Sequence, residues 1–214
     1  MNFELADKLN EFLKDNQLEK AIDFAENELR QLPESAFHQV LGKDLNHLTS
    51  DLSKYLTDFL DYSQRFYKGT KKGFLQNIFK TQNDTDKSLK AIYCEMNGFT
   101  INYDLWFIDL FGFSFCNDLT DLDWLADFEY SSEKSMTITG LESLQKVYQD
   151  YMDNEKWKDK ELEKASDICE FLIILRLQQL FKQTYIEHKD KQSLWTEIPI
   201  FVTAHDYDLV YKTK

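Results

Sequence analysis

The chain has 214 residues, with 38 acidic against 25 basic side chains, 43% hydrophobic and 15% aromatic residues, a composition of globular rather than disordered chains. At this length about 70% of the unfolded-state surface is buried on folding, so a core forms without disulfide or metal staples. Two prolines and six glycines are too few for a many-turned β-sandwich or a collagen-like repeat.

Charge excludes further classes. Residues 91–133 carry nine acids and no lysine or arginine, whereas 65–90 carry seven basic and two acidic side chains. A net charge of −13 repels phosphate backbones, so nucleic acid is not an expected partner. Cys94, Cys116 and Cys169 match neither a zinc spacing nor a disulfide framework and are expected as reduced thiols in a cytoplasmic protein. The N-terminus has acids where a secretory signal has a basic start. The longest mostly apolar stretch, 105–116, contains Asp109 and is well short of the ~20 residues of a membrane span, so no membrane association is expected.

In chain order, Phe3, Ala6, Leu9, Phe12 and Leu13 mark one helix, and Leu18, Ala21, Ile22, Ala25, Leu29 and Leu32 a second that Pro33 closes. The second resembles the second helix of a tetratricopeptide repeat. Glu28 stands where that repeat has a small residue, and no copy follows about 34 residues later, so the pair reads as a lone helical hairpin. Ser35 is placed to cap a long third helix, where Leu41, Leu45, Leu48, Leu52, Tyr55, Phe59, Tyr62 and Phe66 form a heptad seam ending by Gly69. The seam asks for a partner, either the hairpin or a second copy in a homodimer. Residues 69–88 then read as a basic loop or linker with a short helix around Phe74 to Phe79.

Asn97-Gly98 between β-prone arms predicts a two-residue hairpin turn, with Phe99, Ile101, Tyr103, Leu105 and Phe107 on one face of the second arm. Gly112 marks a bulge or a close backbone approach. Thr139 and Glu142 have the spacing of a capping box opening a helix through Leu144 and Tyr148. Residues 159–188 form a central helix buried on most sides, and Ile198 to Ala204 a last strand beginning at Pro199. The expected fold is α+β: a helical N-terminal region over residues 1–68, a linker over 69–88 and an α+β region over 89–214, with a mainly antiparallel sheet, two C-terminal helices and a final strand. One continuous domain is compatible with the same pattern.

Three constellations carry the functional expectations. Asp109 and Arg176 are solitary charges inside apolar runs and need an opposite charge or water, so they are expected to pair or to face a pocket. His205, Asp206 and Asp208 follow an apolar strand and resemble the Asp-x-Asp element of nucleotide-sugar glycosyltransferases. That resemblance, confined to about ten residues, implies divalent metal at Asp206 and Asp208, with Asp109, His205 and Asp206 as catalytic candidates. The segment Asp118, Asp121, Asp123, Trp124, Asp127, Phe128 and Glu129 mixes carboxylates with aromatics. Carboxylates steer and aromatics anchor, a combination suited to a basic protein partner.

The leading expectation is therefore an acidic protein-binding module without a cofactor, more a binder than an enzyme. An immunity-type protein that neutralises a basic partner is one form. A metal-dependent enzyme is the alternative, and a homo-oligomeric structural protein using the 41–66 seam is a second.

Overall fold

The computed structural model describes residues 2–73, 87–191 and 193–213. Helices α1 (Phe3–Lys14) and α2 (Leu18–Arg30) form the hairpin, α3 spans Thr49–Gly73, α4 Glu142–Asp153 and α5 Lys160–His188. Strands β1 (Ala91–Asn97), β2 (Phe107–Phe113), β3 (Tyr130–Ser131), β4 (Met136–Thr137), β5 (Ile200–Ala204) and β6 (Tyr211–Lys212) build one mixed sheet. Its order is β3-β2-β1-β5-β6, with β4 also on β2. The fold is α+β, and among the described residues its one parallel pair is β1 with β5. Among the described residues no helix is long and apolar enough to cross a membrane.

Side chains alternate across each strand. Ile92, Cys94, Met96, Ile108, Leu110, Ile200, Val202 and Ala204 therefore share the inner face, and they join residues of all five helices in one buried cluster. Helix α5 is apolar around most of its circumference, which suits a helix enclosed by neighbours. Asp159 caps it by accepting from the amides of Glu161 and Leu162. Gln178, fully buried, donates to the carbonyls of Val202 and Leu209 at 3.1 and 2.7 Å, tying α5 to the final strands.

Several elements depart from the sequence pattern. In α1 the buried stripe is Leu5, Leu9 and Leu13, and Phe3 stays exposed. Ser35 caps only a short 3-10 turn, Ala36–Val40, through a reciprocal bond with His38. The chain then bends at Gly42 (φ 69°) so that its amide reaches Glu26 Oε1 at 3.0 Å, and the long helix starts only at Thr49. It runs past Gly69 to Gly73. The short helix expected at 74–79 lies outside the described residues.

The heptad seam is filled from within the chain. Leu45, Leu48, Leu52 and Phe59 are buried in the main cluster, and Tyr62 and Phe66 pack on the ring of Tyr130. Gly112 makes room for that ring, since a Cβ there would stand 2.3 Å from it. This is the close approach expected at Gly112.

β1 and β2 pair antiparallel as expected, but the connection is a nine-residue loop, 98–106, instead of a two-residue turn. Phe99, Trp106 and Tyr148 of α4 stack on one another and draw the loop onto the helix. Gly98 is needed for space, because a Cβ would meet the Trp106 ring at 2.9 Å. The Thr139 capping box does not form either. Thr139 Oγ1 faces His47 Nε2 at 3.2 Å, and the Glu142 carboxylate accepts from the amide of Gly140.

Candidate functional site

The outer face of the sheet carries Tyr93 and Glu95 from β1, Asp109 and Phe111 from β2, and Phe201 and Thr203 from β5, placed side by side by the register. One half is roofed by the acidic segment. Trp124 sits in that roof, packed edge-on against Phe113 and Phe201, its indole N–H donating to the Asp118 carbonyl at 3.1 Å. Trp124 is thus a core residue, 5% exposed, and is unavailable as a partner anchor. Glu129 is also taken. Tyr67, Ser114 and Lys87 all donate to its carboxylate; burial pushes it up, but these bonds win and hold it below the usual range.

The remaining expected contact residues do face solvent. Asp118, Asp121, Asp123 and Asp127 are exposed. Asp118 and Asp121 each accept a backbone amide two residues on, which pins the loop. Phe128 is 45% exposed with its ring 4.7 Å from that of Phe111, and Phe115 is 36% exposed beside Phe113 and Trp124.

On the open half, Glu95 and Asp109 stand directly opposite each other on neighbouring strands, an arrangement that like charge disfavours. Hydrogen bonds offset it. Ser135 donates to Asp109 at 2.7 Å and Tyr93 to Glu95 at 3.0 Å, while His205 Nδ1 lies 2.9 Å from Glu95. The structure therefore gathers two of the catalytic candidates, Asp109 and His205, around Glu95, which sequence reasoning passed over. Asp206 lies on the far side of the imidazole, 3.6 Å from Nε2.

Two expectations are corrected. Asp109 does not pair with Arg176, because Asp109 lies on the outer face and α5 packs on the inner one. The Arg176 guanidinium binds Glu26 of α2 at 2.6 Å instead. Asp206 and Asp208 do not belong to a metal-binding group either. Among the described residues no three His, Cys, Asp or Glu side chains are gathered to hold an ion, and Tyr207 between the two aspartates turns inward.

That inward turn shapes the most distinctive site. β1 and β5 run parallel and end together, Met96 beside Ala204. Beyond both ends the backbone enters the left-handed region, at Phe99 (φ 58°) and Asp206 (φ 64°), which a bulky aromatic rarely adopts. A cavity of about 170 Å³ opens there between Phe99, Ile101, His205, Asp206 and Tyr207. The rings of Phe99 and Tyr207 meet at 72°, with centroids 5.9 Å apart. Behind them the Tyr207 hydroxyl donates to the Glu170 carboxylate of α5. Glu170 is 8% exposed, and burial, reinforced by Asp167 and only partly opposed by Tyr207, pushes its pKa up to about 7. Glu170 immediately precedes the apolar run 171–181 that made Arg176 conspicuous, and so escaped the same reading.

A wider groove of about 550 Å³ lies between α3 and residues 132–134, bridged by Arg65 3.5 Å from Glu133. No protein-family model, curated protein or solved structure matches the chain, so the reading of these sites rests on their chemistry.

Proposed function

We propose that the chain is a binding module for a basic protein, engaged through the outer face of the sheet and the loops around it. One observation carries this reading. Four exposed large apolar side chains, Ile101, Leu105, Phe115 and Phe128, lie within the stretch that has nine acids and no basic residue. Among the described residues only Glu129 and Glu133 of those nine form a salt bridge to lysine or arginine. Uncompensated carboxylates raise the encounter rate with a basic surface, and apolar side chains among them supply burial energy once contact is made. Inhibition of a basic enzyme by an immunity-type complementary surface needs nothing more than this.

The test is kinetic. Basic proteins retained from native lysate by the immobilised chain are identified, and their association is measured at low and high salt. The triple reversal Asp121→Lys, Asp123→Lys and Asp127→Lys should slow association more than it speeds dissociation, and salt should do the same. A partner whose association rate ignores both the reversal and the salt overturns the reading.

A further inference from the structure

We infer that the cavity at the C-terminal ends of β1 and β5 receives one guanidinium or ammonium side chain of the basic partner and is the anchor of the interface, an inference that rests on the binding function proposed above. Its position is the first reason, since it lies where the two adjacent parallel strands end together, Met96 beside Ala204, and the chain turns away on both sides. Its walls are the second. Phe99, 5% exposed and packed on Trp106 and Tyr148, and the partly buried Tyr207 make an aromatic corner, and the aromatic surface left open there favours a cation. Asp206 stands at the rim with its side chain 73% exposed, and among the described residues no lysine or arginine lines the cavity. Among the described residues His205 is the one lining group with a basic side chain. Its two nitrogens face Glu95 at 2.9 Å and Asp206 at 3.6 Å, so that charge is answered locally.

Size and strain agree. About 170 Å³ is the space of several waters at roughly 30 Å³ each, enough for a side-chain head group and too little for a folded segment. Phe99 and Asp206 are two of the four non-glycine residues with positive φ among the described residues, and backbone held in such a conformation gathers at ligand clamps. The cavity is also continuous with the acidic face, because Glu95 lies on that face and touches His205 of the cavity wall. A cation steered along the face thus arrives at the pocket.

The experiment is an amide NMR titration of the full chain with n-propylguanidinium, with n-propylurea as the neutral isostere and deca-arginine as a stand-in for the partner. Propylguanidinium should give saturable shifts at residues 96–101 and 204–207, roughly tenfold stronger in affinity than propylurea. Asp206→Asn keeps a residue that tolerates left-handed backbone and removes the charge, so it should weaken propylguanidinium binding a few-fold. Equal affinity for the urea, or full affinity in Asp206→Asn, overturns the inference. Deca-arginine shifting 117–129 with the cavity silent overturns the anchor and leaves the surface reading standing. Silence of deca-arginine at both places overturns both.

Discussion

Glu26 and Glu170 are the same residue type, on helices packed against each other, each 8% exposed, and the protein treats them in opposite ways. Burial raises both carboxyls. At Glu26 the Gly42 amide, Arg30 and Arg176 more than reverse this and hold the group below the usual range. At Glu170 the only side-chain hydrogen bond among the described residues comes from Tyr207, and the group stays near 7. The first carboxylate joins α2 to α5, and the second stands under a cavity with its charge poorly answered. Equal burial therefore says little about role. The partners decide whether a buried acid is structural or poised.

The largest effect should come from breaking the satisfied site. Glu26→Ala leaves the Arg176 side chain, 14% exposed, without its counter-charge and should cost about 3–5 kcal/mol by urea denaturation. Adding Arg176→Leu should recover some of the loss, because no uncompensated charge then remains. Strict additivity of the two would remove Glu26 from the structural side of the comparison.

Replacing the poised acid should do the reverse. The Glu170 pKa is about 7 folded against 4.5 unfolded, so the native state binds the extra proton between those values. Stability from this group is present below pH 4.5, falls as pH rises and is fully lost above 7. Glu170→Gln should accordingly stabilise the protein at pH 8, by at most about 3 kcal/mol, and flatten its stability between pH 4.5 and 7. Glu26, held low, has the opposite slope, contributing stability above 4.5 that disappears at more acid pH. Thermal melts across pH 3–8 on the two variants separate the slopes. A Glu170→Gln protein as pH-dependent as the parent would show that the two acids do not differ.

How far each side could be read from sequence follows the same division. Periodicity located α2, α4, α5 and β5, because amphipathic patterns report burial directly, and the Asn-Gly signal located the antiparallel β1–β2 pair, whereas the short β6 was not expected. The same logic flagged Arg176 as a charge in an apolar run. Its partner was misassigned, since the bend at Gly42 and the seating of α2 on α5 are long-range facts. The Asn97-Gly98 turn and the Thr139 capping box failed where aromatic packing and the His47 contact overrode local preference. Trp124 looked like a surface anchor only because its neighbours are acidic. The cavity was half legible, through His205 and Asp206, but its other wall, Met96 to Ile101, comes from a separate segment with no such signature.

A smaller effect should follow from cutting the single bond to the poised acid. Tyr207→Phe removes the donor to Glu170 and should cost roughly 1.5–3 kcal/mol at pH 8, where the carboxylate is charged. The cost should shrink at pH 5, where a protonated carboxyl needs a donor less. An equal loss at both values would mean that Tyr207 acts through ring packing with Phe99 and Phe171 alone.

The smallest expected effect tests whether the backbone above Glu170 is held under strain at all. Asp206 is exposed at φ 64°, and His205 Nε2 lies 3.6 Å from its carboxylate, so its side chain contributes little to stability. Its conformation is what a substitution would feel. Asparagine tolerates the left-handed region and glycine enters it freely, whereas alanine pays about 1–2 kcal/mol there. Denaturation midpoints should rank Asp206→Asn and Asp206→Gly near the parent and Asp206→Ala about 1 kcal/mol below. If alanine is as stable as asparagine, the turn relaxes freely and the cavity is an accident of loop packing. If alanine alone loses, the strand ends beside the poorly answered Glu170 are held in a costly shape.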